Sequence, residues 1–189
     1  MFAEIWFLFR WLLPATGSAT ATQRWRGPFA ARHDFEWQGH SVEAKASTVV
    51  RGPVVRIHGL DQLDAPTGGE LLFFALRLRE EAGASHSLTS LIAETRTALE
   101  ADADALTRFE TALAQAGYSP LHEADYAQTL WRIVDERLYS VDATFPKLTP
   151  ESLPGGLPPG VSEIAYTLDL GGHTGAAFTD PANAAASLR

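Results

Sequence analysis

The fold is decided by the stretch His33-Asp34-Phe35-Glu36-Trp37-Gln38-Gly39-His40-Ser41-Val42-Glu43-Ala44-Lys45. Apolar and polar residues alternate on both sides of Gln38-Gly39, a pair that is typical of a two-residue β-turn. We therefore predict a β-hairpin in which Trp37 lies opposite His40. The same register, continued along both strands, places Asp34 opposite Glu43.

Because side chains alternate between the two faces of a strand, Asp34, Glu43 and Lys45 are predicted to share one face of the hairpin. The opposite face is apolar and can pack on a core; it carries Phe35, Trp37, Val42 and Ala44. Carboxylates directly across a ladder repel each other, with β-carbons about 5 Å apart, and a cation between them would remove that repulsion.

The three polar residues suit a metal-assisted reaction. Mg²⁺ is held by one or two carboxylates, while water and substrate phosphate complete its coordination. A lysine two residues beyond the second carboxylate can reach the same water or phosphate, which is an arrangement for phosphodiester hydrolysis. The alternative interpretation is an exposed hairpin face whose Lys–Glu pair has no chemical role.

The composition is that of an ordinary globular protein. The 189 residues are enough for one domain with its own core, and there are no cysteines, which excludes disulfides and thiolate metal sites. The net charge of -8 argues against a broad nucleic-acid surface. A local basic surface remains open, because four arginines flank the hairpin, Arg24, Arg26, Arg32 and Arg51; scattered surface arginines are the alternative.

The first thirteen residues are strongly apolar and aromatic. They lack a positive start, and Glu4 and Arg10 interrupt the run, which argues against a secretory signal; the run is also too short to span a bilayer. We expect a buried helix that ends at Pro14, followed by a loop from Ala15 to Gln23. Glu4 is expected to be a solvated acid of the first turn.

The rest of the chain predicts alternating strands and helices. Strands are expected at Pro53–His58, Glu70–Arg79, Leu130–Val141 and Ile164–Leu170, with helices at Ser87–Glu100 and Asp102–Ala116. Gly59 to Asp64 is expected to form a helical turn, and Phe145 to Gly160 an irregular loop with five prolines. Residues 171–189 are expected to be a flexible tail beyond a single domain at 1–170.

Asp34 followed by Glu43-Ala44-Lys45 resembles the D…(D/E)-x-K signature of the PD-(D/E)xK nuclease superfamily, with His33 in place of the usual proline. The resemblance extends in order over further segments. They are Trp25-Arg26-Gly27-Pro28, Ile57-His58-Gly59-Leu60-Asp61-Gln62-Leu63-Asp64, Phe145-Pro146 and Val161-Ser162-Glu163-Ile164-Ala165-Tyr166. From Trp25 to about Leu170 the chain is similar to a bacterial PD-(D/E)xK family found beside restriction and phage-defence genes.

The resemblance implies a fold and a chemistry. The expected fold is α/β or α+β, restriction-endonuclease-like, with a mixed central sheet flanked by helices. The implied activity is a Mg²⁺-dependent endonuclease, with Mn²⁺ as a substitute, that acts on DNA. Asp34 and Glu43 would hold the metal, Lys45 would position the attacking water, and Gln62 would assist.

Several further expectations follow from the family. Superfamily members often carry an acid on the first core helix near the metal, a place that Glu4 could take. Relatives are longer at the N-terminus, so an upstream region is expected to be missing. A cytoplasmic location, no membrane contact, and other subunits of a defence system as partners are also implied. Dimerisation is left open.

Two other function classes stay open. The first is a catalytically inactive nuclease-like scaffold that binds DNA or a partner protein within a defence complex. The second is a secreted α/β protein, should the first twenty residues be cleaved. The sequence contains no HExxH, Gly-rich phosphate loop or GxSxG motif, and its six histidines form no metal-binding pattern.

Overall fold

The computed structural model describes residues 1–161 and 163–189. A five-stranded mixed sheet lies at the centre, in the order β1–β2–β4–β5–β7. Its strands are β1 (Phe35–Trp37), β2 (His40–Ser47), β4 (Glu70–Glu80), β5 (Trp131–Ser140) and β7 (Ala177–Phe178). β2 and β4 run parallel and the other neighbours antiparallel, so the predicted mixed α/β architecture is confirmed.

A helical layer covers one face of this sheet. Its long helices are α4 (Leu88–Leu99) and α5 (Ala103–Gln115), joined by the N-terminal helices α1 (Phe2–Phe7), α2 (Leu13–Thr16) and α3 (Ser18–Arg24). Ser87 caps α4, because its hydroxyl accepts the Ser90 N–H while the Ser90 hydroxyl accepts the Ser87 N–H. Two short helices, α6 (Glu123–Tyr126) and α7 (Pro181–Ala184), complete the set.

A two-stranded sheet lies against the other face. It pairs β3 (Val54–His58) with β6 (Ala165–Asp169) in antiparallel fashion. Val55 and Ile57 of β3 pack with Phe73 of β4 in a second hydrophobic core. The central sheet is therefore covered on both faces, which agrees with the near-continuous apolar sequence of β4.

Register decides which residues enter which core. Even-numbered residues of β2 and β4, such as Val42 and Phe74, pack under the helices. Odd-numbered residues, such as Phe73 and Ala75, face the small sheet. Because β2 and β4 are in parallel register with Glu43 opposite Phe73, Glu43 belongs to the second face.

The prediction that Pro14 ends the first helix was wrong. A π-helical segment at Leu8–Leu12 leads into α2, where Pro14 occupies the first turn and needs no hydrogen-bonded N–H. The predicted loop at 15–23 was wrong for the most part, since α3 forms after a break at Gly17, whose φ is 81°. Alanine and glutamine there favour a helix once packing is available.

Two further expectations are corrected. Residues 59–64 form bends and a turn, not a helical turn. The C-terminal residues pack against the helical core instead of forming a flexible tail, because β7 joins the central sheet and Ala184 and Leu188 are fully buried.

Ser162, part of the motif at 161–166, lies outside the described residues. No helix in the part of the chain that the structure describes has the length and apolarity to cross a membrane.

Candidate active site

The hairpin has the predicted register. Phe35 lies opposite Val42 and Trp37 opposite His40, with Gly39 in the turn at a φ of 74°. β1 begins at Phe35, one residue after Asp34, so Asp34 stands at the open end of the ladder. Its Oδ2 atom accepts the Ala44 N–H over 2.8 Å, which fixes the carboxylate beside the second strand.

Gly27 makes room for the Asp34 carboxylate. The backbone oxygen of Asp34 accepts N–H groups from Arg26 (2.8 Å) and Gly27 (2.9 Å), so the two segments run in close contact. A β-carbon on residue 27 would lie 2.6 Å from Asp34 Oδ1, closer than real contacts allow. Only glycine therefore permits this approach of backbone to carboxylate.

Glu43 and Lys45 form a close ion pair on β2. Lys45 Nζ lies 2.5 Å from Glu43 Oε1, where Glu43 is 2% exposed and Lys45 is 23% exposed. The alternative interpretation, in which this face of the hairpin is exposed, was wrong for Glu43. Glu43 lies opposite Phe73 of β4, and Phe73 belongs to the core between the two sheets. A buried carboxylate with a cation beside it is costly to remove from water and marks a candidate functional position.

Glu4 joins the site from the first helix. Trp25 Nε1 donates to Glu4 Oε2 over 3.1 Å, and the Met1 amino group lies 2.6 Å from Glu4 Oε1. A β-carbon on Gly27 would be 3.4 Å from Glu4 Oε2, so the Glu4 and Asp34 carboxylates approach each other around Gly27. Glu4 is 16% exposed, and its prediction as a solvated acid was wrong.

A cleft gives access to these carboxylates. Its volume is about 340 Å³, and it is lined by Met1, Glu4, Gly27, Pro28, Ala30, Asp34, Gln115 and Ala116. The start of α1, the 27–30 segment and the end of α5 therefore form its walls. Glu4 and Asp34 line the cleft, whereas Glu43 does not.

Burial and mutual repulsion disturb the titration of the carboxylates. Burial raises the pKa of Asp34 to about 6, and the Glu4 charge adds to the rise, whereas the Ala44 N–H and Lys45 oppose it. Burial also raises the pKa of Glu43 to about 8, with the Asp34 charge as the second cause and Lys45 acting against it. A cation bound between the carboxylates would relieve both effects.

The side chains present suit a hard divalent cation. Asp34, Glu43 and Glu4 offer only oxygen donors, the type that Mg²⁺ prefers, and one or two carboxylates are a sufficient protein contribution. Within residues 1–161 and 163–189 no three His, Cys, Asp or Glu side chains converge closely enough to form a complete metal cage. The fit is therefore to an ion that keeps water or substrate oxygens in its coordination sphere.

Gln62 lies in the turn that follows β3. Its amide oxygen accepts the His58 N–H over 2.9 Å. This local hydrogen bond within the turn explains the glutamine without a catalytic role. Arg32 ties this turn to the segment before Asp34, because its Nε donates to Asp61 O and its Nη2 pairs with Asp64. No hydrogen bond between described residues joins Gln62 to Asp34, Glu43 or Lys45.

The arginines around the hairpin do not form one surface. Arg24 donates to Leu188 O and stacks on Trp37, with its guanidinium 4.5 Å from the ring centroid. Arg26 lies over the Phe29 ring, and Arg32 is paired with Asp64. The predicted local basic surface of Arg24, Arg26, Arg32 and Arg51 is therefore not supported by the contacts of the first three.

Sequence reasoning missed the roles of Trp25 and Gly27. Both lie in Trp25-Arg26-Gly27-Pro28, a segment that supported the family resemblance but had no assigned part in the site. The signal was available, since tryptophan carries a single N–H donor and glycine allows close backbone approach. His33 is buried at 2% exposure, and among described residues its Nε2 atom has no hydrogen-bond partner.

Comparison with protein families gives one assignment. Residues 1–171 match the family described as "Putative PD-(D/E)XK family member, (DUF4420)", and the chain belongs to this family. The match covers the first helix, the hairpin and both sheets up to β6. Neither the curated proteins nor the solved structures include a match to the chain.

Proposed function

We propose that the chain is a divalent-metal-dependent nuclease that hydrolyses phosphodiester bonds of DNA. One observation carries the proposal: Asp34 and Glu43, two buried carboxylates with raised pKa values, lie beside Lys45 at the end of the hairpin. Membership of the PD-(D/E)XK family supports the same chemistry. A role in restriction or phage defence is part of the proposal, as is Mg²⁺ as the physiological ion.

In this proposal Asp34 and Glu43 would hold the metal, and Glu4, which approaches Asp34 around Gly27, would add a third carboxylate near it. The ion, when bound, acidifies a water molecule and stabilises charge on the phosphate. Asp34 is kept in position by the Ala44 N–H and by the space that Gly27 leaves.

Lys45 has two tasks. Its ammonium group balances the charge of Glu43, and it would orient the attacking water and offset charge on the pentavalent phosphorus. Gln62 would assist through its amide NH₂ group, because its oxygen is engaged by the His58 N–H.

The second candidate function is a nuclease-like scaffold without catalysis, which binds DNA or a partner protein. The pairing of Glu43 with Lys45 favours it, because a carboxylate already neutralised by a lysine has less need of a metal. Stable co-purification with a neighbour-encoded subunit, without uptake of a divalent ion, would favour the scaffold over the enzyme.

The test is cleavage of supercoiled plasmid, phage DNA and RNA with Mg²⁺ or Mn²⁺, by the wild type and by Asp34→Asn. The asparagine keeps an acceptor for the Ala44 N–H but removes the charge. Cleavage that needs the metal and is lost in Asp34→Asn would support the enzyme. Equal cleavage by both proteins would reject the assignment of Asp34.

A further inference from the structure

One face of β4 changes from apolar to basic along the strand. Leu71, Phe73 and Ala75 are buried against the small sheet. Arg77 and Arg79 continue the same alternation, yet Arg79 is 56% exposed. The small sheet therefore covers only the first part of this face, and arginines occupy the part beyond it.

β5 shows the same change on the neighbouring strand. Tyr139 is 1% exposed in the core between the sheets. Arg137 is 43% exposed and lies opposite Ala75, and Arg132 is 60% exposed and lies opposite Arg79. Both arginines share the face of their β4 partners, because residues paired across strands point to the same side.

Lys45 connects this face to the carboxylates. It also lies opposite Ala75, from the β2 side, so Lys45 and Arg137 flank one β4 residue. With strands spaced by roughly 4.8 Å, their Cα atoms are about 10 Å apart. We define the basic sheet face by its five cations, Lys45, Arg77, Arg79, Arg132 and Arg137.

The charge of this face is unusual for the chain. The protein as a whole is acidic, with a net charge of -8 and fifteen Lys and Arg residues. Five of these lie on the basic sheet face, where the acidic side chains that pair with them are Glu43, Glu81 and Asp135, so the face keeps an excess of two positive charges. A local excess of positive charge on an acidic protein favours a polyanionic partner.

The partner that fits is a nucleic-acid backbone. Guanidinium groups bind phosphate oxygens in a bidentate manner, and a row of cations on a rigid sheet can follow successive phosphates. The row of cations begins at Lys45, whose Nζ contacts Glu43. A DNA strand lying along this row would therefore bring one of its phosphates to the carboxylates.

We propose that the basic sheet face binds the phosphate backbone of the DNA substrate and leads it to Asp34 and Glu43. This inference rests on the proposed nuclease function and adds the surface that holds the substrate. Arg77 of β4 and Arg132 of β5 both lie beyond the level of Lys45 on this face, and neither belongs to the proposed site.

The experiment measures the affinity for a fluorescently labelled DNA duplex by anisotropy over a range of salt concentrations, with EDTA present to prevent cleavage. The test protein carries Arg77→Gln and Arg132→Gln. Each lost phosphate contact weakens binding by about eightfold at roughly 0.1 M salt and lowers the slope of log K against log salt by about 0.9. The double variant should therefore bind roughly 60-fold more weakly, with a slope reduced by about two.

The matched control carries Arg10→Gln and Arg96→Gln, which remove two charges from the helical layer on the opposite face. It should bind nearly as tightly as the wild type. Equal loss in both double variants, or no loss in the test variant, would overturn the inference while leaving the nuclease proposal to its own test. Failure of the wild type to bind DNA in EDTA, and again when Ca²⁺ is added, would overturn the inference. Mn²⁺ binding to the wild type then reports separately whether the carboxylate site exists.

Discussion

The Ala44 N–H donates to Asp34 Oδ2 over 2.8 Å, and this bond joins Asp34 to the strand that carries Glu43 and Lys45. It fixes Asp34 although this residue lies outside the regular ladder, which begins at Phe35. The strand that carries Glu43 and Lys45 therefore also positions the Asp34 carboxylate.

Gly27→Ala is expected to damage the site by displacing Asp34. The new β-carbon would lie 2.6 Å from Asp34 Oδ1 and 3.0 Å from Asp34 Cα, so backbone or side chain must move. We expect a loss of about 1–3 kcal/mol in the free energy of unfolding, together with weaker Mn²⁺ binding. Urea unfolding and metal titration measure the two effects.

The control for this substitution is Gly172→Ala, because a β-carbon at residue 172 would meet no atom within 4 Å. It should leave stability and metal binding close to those of the wild type. Wild-type metal affinity in Gly27→Ala would show that the close packing of Gly27 has no part in the site.

Lys45→Ala is expected to abolish cleavage while the protein keeps its fold and its affinity for Mn²⁺. The lysine pairs with Glu43 and is the cation nearest to the carboxylates, so its loss removes water orientation and charge balance. A decrease of at least about a hundredfold in cleavage rate is expected from the loss of such a group. Circular dichroism and metal titration report fold and metal site, and undiminished cleavage would remove Lys45 from the mechanism.

The buried carboxyls predict how stability depends on pH. Burial raises the pKa of Glu43 from 4.5 to about 8, so between these values the folded state holds a proton that the unfolded state has released. The free energy of unfolding contributed by this group therefore falls as pH rises through that interval. Glu43→Gln removes the titration, and its stability relative to the wild type should increase from about pH 5 to about pH 8.

Urea unfolding in EDTA at several pH values measures this difference between the two proteins. The comparison cancels titrating groups that do not interact with Glu43, among them His33, whose pKa is lowered by burial and which has the opposite dependence. A stability difference that stays constant with pH, or that shrinks as pH rises, would contradict a raised pKa at Glu43.

The hairpin was predictable because residues close together in the sequence determine its turn and its register. Gln38-Gly39 fixes the turn, and alternation then sets the register that places Trp37 opposite His40. The parallel pairing of β2 with β4 and the small sheet of β3 and β6 depend on contacts between distant segments, which periodicity does not encode. For this reason the burial of Glu43 could not be foreseen from the hairpin pattern.

The N-terminal part of the site was harder to predict. In the sequence, Glu4 has the pattern of a surface acid in a short helix. Trp25 Nε1 reaches its carboxylate only because the fold brings the two segments together. Gly27 was part of a recognised segment, but its function depends on the distance to Asp34, a tertiary property. Pro14 misled the prediction because it lies in the first turn of α2, after a π-helical segment, where a proline needs no hydrogen-bonded N–H.

The central claim is that Asp34 and Glu43 bind a divalent cation, and titration calorimetry with Mn²⁺ on the wild type and Asp34→Asn tests it most directly. The asparagine preserves the acceptor for Ala44, so a change in binding reports the lost charge and not a lost hairpin contact. The account predicts binding by the wild type that disappears in Asp34→Asn and that strengthens as pH rises, because metal replaces the carboxyl protons. Equal binding by both proteins, or no binding by the wild type with and without DNA, would contradict it.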